Sequence, residues 1–116
     1  LPDISGTHHL TLQWISWDRP GKAVIKKTGT NSYSISGSQR GNGQTLKIDG
    51  ALIMITPLEL EFDGNIETGY YGETNESCVK KGKQTFLSTQ GRKYWRLQNM
   101  ASCENDGLTD YVDIYF

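Results

Sequence analysis

The chain lacks any long apolar run. The longest, Ala51 to Ile55, falls far short of the roughly 20 residues a helix needs to cross a bilayer. Net charge is almost absent as well, with 12 basic against 13 acidic side chains giving −1. Nucleic-acid binders carry a basic excess that displaces counterions from phosphates, so nucleic acid and polyanionic membrane surfaces are disfavoured as partners. Nowhere do apolar residues recur at i, i+3, i+4 and i+7 across three turns, which argues against an amphipathic helix. Linkers, repeats and low-complexity tracts are lacking, so residues 1–116 read as a single domain with one modest core.

Motifs that carry chemistry are missing too. Ser36-Gly37-Ser38 and Gly6-Thr7-His8 do not form a G-x-S-x-G elbow, and the glycines form neither a P-loop nor a dinucleotide fingerprint. His8 and His9 are adjacent, which on a strand points them to opposite faces. With no C-x-x-C or H-x-x-x-H spacing, neither a metal nor a cofactor is expected, and chain-end histidines of this kind are usually exposed and idle. Asn75-Glu76-Ser77 matches the short N-glycosylation pattern, which recurs by chance and would be moot were the source bacterial.

What the sequence does contain is period two. Leu10, Leu12 and Trp14 alternate with Thr11, Gln13, Ile15 and Trp17 until Pro20-Gly21 interrupts them. Short strands follow at Ala23–Lys27 and Asn31–Gly37, then a loop at Gln39–Gly43. Asp49-Gly50 and Asp63-Gly64 carry the two-residue hairpin signal, and Thr56-Pro57 stops the strand between them. Leu58, Leu60 and Phe62 alternate with Glu59, Glu61 and Asp63. Gly72 to Gly82 reads as a polar loop, strands resume at Gln84–Ser88, turn at Gln90-Gly91, and return through Lys93–Gln98. After a second polar loop, Val112, Ile114 and Phe116 alternate with Tyr111, Asp113 and Tyr115. Eight to ten short strands in consecutive hairpins predict an all-β fold, a small antiparallel meander barrel of lipocalin or calycin type, with a β-sandwich as the alternative.

The two cysteines, Cys78 and Cys103, lie in the polar loops flanking the Gln84–Gln98 hairpin. A hairpin returns its ends to one place, so a bridge is the expected arrangement, closing about 26 residues. The chain-entropy account values such a loop at about 3.5 kcal/mol. Two unrelated thiols and a zinc site are the alternatives. An even cysteine count and an opening at Leu1 rather than Met fit an exported protein whose signal peptide was removed; a trimmed chain fits the second fact equally.

Two groups of residues stand out as candidate sites. Tyr94, Arg96, Tyr111, Asp113 and Tyr115 would form an aromatic and charged surface if the last two strands are neighbours, with Arg96 and Asp113 paired between tyrosines. Tyr, Trp and Arg dominate binding hot spots, although such a row can equally be a structural ladder of cross-strand pairs. Were the Arg96–Asp113 pair to point inward, it would become a polar ligand contact. Trp14, Tyr33, Phe62 and Trp95 are candidates to line a cavity inside the barrel. The carboxylates Glu59, Glu61, Asp63 and Glu67 suit the solvated side of a strand better than a hydrolytic pair.

Arg92–Gln98 (RKYWRLQ), Cys103 and Asp110–Phe116 (DYVDIYF) together resemble a family of small uncharacterised exported bacterial β proteins. The upstream spacings Tyr33-x-Ile35-x-Gly37, Leu46-x-Ile48-x-Gly50 and Phe62-x-Gly64-x-Ile66 are similar to that family as well. The resemblance covers most of the chain. It implies export and a Cys78–Cys103 bridge, and carries no catalytic residue. The leading expectation is a non-enzymatic periplasmic or secreted binding protein, inhibitor- or immunity-like, acting on a protein partner. A carrier of a small apolar ligand is the second, a glycan hydrolase built on the acidic strands the third, and a purely structural envelope role the last.

Overall fold

The computed structural model describes residues 1–70, 78–102 and 107–116. Eight strands make a closed antiparallel barrel in which each strand pairs with its sequence neighbours and the last returns to the first. They are β1 (Gly6–Leu12), β2 (Gly21–Gly29), β3 (Ser32–Gly41), β4 (Gln44–Thr56), β5 (Glu59–Tyr70), β6 (Cys78–Leu87), β7 (Tyr94–Leu97) and β8 (Val112–Tyr115). Closure runs through Leu10↔Ile114, Thr11↔Asp113 and Leu12↔Val112, which selects the barrel over the sandwich. No helix among the described residues is long and apolar enough to cross a membrane.

The alternating side chains sort as period two requires. Leu10, Leu12, Ala23, Ile25, Tyr33, Ile35, Leu46, Ile48, Leu52, Leu60, Phe62, Phe86, Trp95, Leu97, Val112 and Ile114 fill the interior, each almost wholly buried. Asn42-Gly43 and Gln90-Gly91 have positive φ at both residues, the geometry that lets a two-residue turn follow the twist of its strands. The expected Gln39–Gly43 loop therefore shrinks to a tight turn, and β3 continues through Gly41. Asp49-Gly50 and Asp63-Gly64 are not turns. Both lie inside long strands that pair throughout, with Gly50 opposite Gly64, and the reversal falls at Pro57-Leu58.

Two other segments depart from the alternation for visible reasons. β6 begins at Cys78, inside the stretch expected to be a loop. Its polar residues are carried by pairing with β5, where Lys83 faces Asp63 and Lys81 faces Asn65. At the other extreme, β1 stops at Leu12 rather than running on to Trp17. The Leu12 N–H donates to the side-chain oxygen of Gln39 at 2.7 Å, and the Gln13 side-chain oxygen accepts from the Tyr111 N–H at 2.7 Å. Side chains thus take the positions that a longer strand pair would fill. Ile15 folds inward and Trp14 and Trp17 are left exposed.

Gln39 is 2% exposed, and its amide also donates to the carbonyl oxygens of Ser16 at 2.9 Å and Arg19 at 3.1 Å. Gln39→Leu would leave one N–H and two carbonyls without these partners. The expected loss is about 2 kcal/mol, read from the urea midpoint at unchanged m-value.

His8 is half-buried rather than idle. Its Nδ1 lies 2.6 Å from the Tyr115 carbonyl oxygen and its Nε2 lies 2.7 Å from that of Ile4, which ties the amino-terminal segment to β8. Cys103 and the Asn75-Glu76-Ser77 pattern lie outside the described residues, so the expected bridge from Cys78 and the glycosylation pattern receive no structural account.

Candidate functional site

β7, β8 and Tyr111 just ahead of β8 bring together all five residues of the expected surface. Register places Tyr94 opposite Tyr115 and Arg96 opposite Asp113. Trp95, Leu97, Val112 and Ile114 claim the interior, so the alternate residues Tyr94, Arg96, Asp113 and Tyr115 stand on the outer face. The Arg96–Asp113 pair is therefore not an inward ligand contact.

Its geometry is a fork. Arg96 Nε donates to Asp113 Oδ1 at 2.7 Å and Nη2 donates to Oδ2 at 2.8 Å. Asp113 is fully buried, roofed by the guanidinium, while the Arg96 side chain keeps 17% exposure. The Arg96 guanidinium lies 4.1 Å from the centroid of the Tyr111 ring and 5.0 Å from that of Tyr94, a cation between two π faces. Tyr94 and Tyr115 are tilted against each other at 5.3 Å, and the Thr11 hydroxyl donates to the Tyr115 hydroxyl at 3.3 Å. The paired hydrogen bonds to Asp113 hold the Arg96 guanidinium above its ordinary pKa, against partial burial that pulls it down. Both Asp113 oxygens are engaged, and the two parallel bonds fix the plane of the guanidinium.

A groove of about 310 Å³ opens beside this cluster, lined by Leu87, Arg92, Tyr94, Arg96, Met100 and Tyr111 among others. Leu87 and Met100 were not singled out in the sequence, and Arg92 entered there only as the first residue of the Arg92–Gln98 stretch. The separation of two strands creates the groove, and alternation carries no signal for that. A second groove of about 710 Å³ lies over the outer face of β4, β5 and β6, where Ala51, Ile53, Glu61, Asp63, Lys83 and Thr85 line it. Its two carboxylates belong to the solvated side of β5, as the alternation implied.

Three of the four residues expected to line a cavity lie in the interior of the barrel, and Trp14 does not. Tyr33, Phe62 and Trp95 are core residues, Phe62 edge-on to Phe86 at 6.0 Å and Trp95 against Phe116 at 4.4 Å. The Trp95 indole N–H donates to the Pro57 carbonyl oxygen at 3.1 Å. Trp14 lies outside the interior, 41% exposed, and its indole N–H donates to Asp110 Oδ1 at 2.9 Å. At the same end of the barrel, Lys80 donates to the Asn99 carbonyl oxygen at 2.8 Å. Burial holds its ammonium below the usual lysine range, partly offset by Asp110. Among the described residues, no group of three or more His, Cys, Asp or Glu is placed to hold a metal ion.

Fold and surface together define a small closed meander barrel that carries a rigid tyrosine–arginine cluster on its outer wall. The chain matches the PM1083 family over residues 1–116. It is similar to an uncharacterized protein, PM1083, of Pasteurella multocida (strain Pm70), with 39% identity over 115 residues, covering 97% of this chain and 73% of that protein. The chain belongs to the PM1083 family of bacterial proteins. No solved structure gives a significant match.

Proposed function

We propose that this protein is a non-enzymatic binding protein, exported from the cytoplasm, that engages a protein partner through the outer face of β7 and β8. The observation that supports this reading most is Arg96, locked by a fully buried Asp113 between Tyr94 and Tyr111 at the wall of a groove. Arginine and tyrosine are the residues that dominate hot spots. A side chain already fixed in place loses little freedom on binding, which favours affinity. Export accords with the even cysteine count, and a Cys78–Cys103 bridge goes with it. Thiol titration of the purified protein with and without reductant tests the bridge.

The binding reading is tested with immobilised protein exposed to envelope extract of its source cell. Recovered proteins are identified, and each is purified and titrated against the wild type and Tyr111→Ala. The expected result is one partner whose affinity falls at least 10-fold for the variant while its Tm stays within a few degrees. Equal affinity for both proteins, or no saturable partner, would refute it.

A further inference from the structure

The two outer grooves share a residue. Gln98, exposed just past the end of β7, lines both the groove beside Arg96 and the groove over β4 to β6. The cause lies in the strand pairing. β6 pairs with β7 only at Phe86↔Leu97 and Leu87↔Arg96. One further backbone bond, Gln98 N–H to the Thr85 carbonyl oxygen at 2.9 Å, follows these pairs, and beyond it the Lys80 side chain reaches the Asn99 carbonyl oxygen at 2.8 Å. Leu87 faces the first groove and Thr85 and Lys83, on the same outer side of β6, face the second.

The ends of this path differ in chemistry. Arg92 and Arg96 line one end, and no carboxylate is among the described residues lining that groove. A guanidinium has five N–H bonds, and Asp113 accepts two from Arg96, so donors remain for another carboxylate. At the far end Ala51 and Ile53 present an apolar floor, with Ile53 48% exposed. Register runs from Arg96 to Leu87 on one line and from Thr85 through Glu61 to Ile53 on another. Three strand spacings plus a two-residue offset put the ends about 16 Å apart, or about five residues of extended chain.

We propose that the two grooves form one cleft, continuous at Gln98, which receives an extended segment of a partner protein. The segment carries a carboxylate that reaches Arg92 and Arg96 and, about five residues away, an aliphatic side chain that covers Ala51 and Ile53. This rests on the binding reading above and adds the occupant's chemistry and path. A folded partner that presents only a flat patch to the tyrosines would use the first groove alone.

The probe is a phage-displayed library of linear dodecapeptides selected on the folded protein. The enriched sequence is synthesised and titrated against the wild type, Arg92→Glu, Gln98→Trp and Ile53→Asp. All three positions are exposed, and thermal unfolding checks that each variant is folded. The expected consensus has Asp or Glu about five positions from Leu, Ile or Val, and each variant weakens it at least 10-fold. Replacing the acidic residue by its amide should abolish the sensitivity to Arg92→Glu. The proposal is overturned if no sequence enriches, if the consensus lacks that spacing, or if Ile53→Asp binds like the wild type. In the last case, loss of binding with Tyr111→Ala would leave the tyrosine–arginine surface standing and remove only the cleft.

Discussion

Asp113→Ala is expected to cost about 3 kcal/mol, the low end of the range for breaking a buried ion pair. Both Asp113 oxygens accept from Arg96, at 2.7 and 2.8 Å, and the carboxylate has no exposed surface. Once it is gone, the cation stays beside Tyr94 and Tyr111 without its counter-charge. At 17% exposure Arg96 has some access to water, and this holds the loss near 3 rather than 5 kcal/mol. Against a total of about 5–15 kcal/mol the effect is large. Urea unfolding followed at two temperatures measures it, with the m-value showing whether the native state keeps its compactness. The double variant Arg96→Met/Asp113→Leu should recover most of the loss, since apolar replacement of a whole buried pair is often neutral or stabilising. An Asp113→Ala midpoint equivalent to a change below about 0.5 kcal/mol would mean that the fork contributes only position.

The pairing of Arg96 with Asp113 was legible because two independent alternations fixed it. Trp95 and Leu97 on β7, and Val112 and Ile114 on β8, both demand the interior, so their alternates must meet outside. The consecutive order of hairpins likewise foretold a meander, and β1–β8 pairing closes it. Less legible were the places where side chains replace backbone pairing. Trp14 follows Leu10 and Leu12 in perfect alternation, yet Gln13 and Gln39 take up the Tyr111 and Leu12 N–H groups and end the strand. A glutamine that acts as a strand terminator looks like any polar residue on a solvated face. The groove residues Leu87 and Met100 were illegible for a related reason: they matter because β6 and β7 part after two register pairs, and pair length is a tertiary outcome.

The Asp-Gly pairs are the instructive case, since the dipeptide that signals a hairpin here lies within two strands that pair straight through it. Gly50 and Gly64 sit opposite each other in the middle of β4 and β5, with the Phe62 ring over both. Glycine in a strand interior marks close approach of a second backbone, and a ring that covers the bare strand fills the space a Cβ would take. A Cβ on Gly64 would lie 2.6 Å from the Gly50 Cα and 2.9 Å from Phe62 Cζ, and would press on the Asp49 carbonyl oxygen. Two of these three obstacles are backbone of the partner strand, which cannot swing aside. Gly64→Ala is therefore expected to destabilise by about 2–4 kcal/mol, an overpacking cost near the top of its usual range. Gly29→Ala is the control. Its Cβ would meet nothing nearer than Ser32 at 3.7 Å, so it should be neutral or stabilise by up to about 1 kcal/mol through the unfolded chain. Adding Phe62→Leu to Gly64→Ala should cost less than the sum of the single changes, because the smaller side chain removes one of the obstacles. Strict additivity, or a Gly64→Ala protein as stable as the wild type by thermal unfolding, would show that β4 and β5 can separate at this point to admit the methyl group.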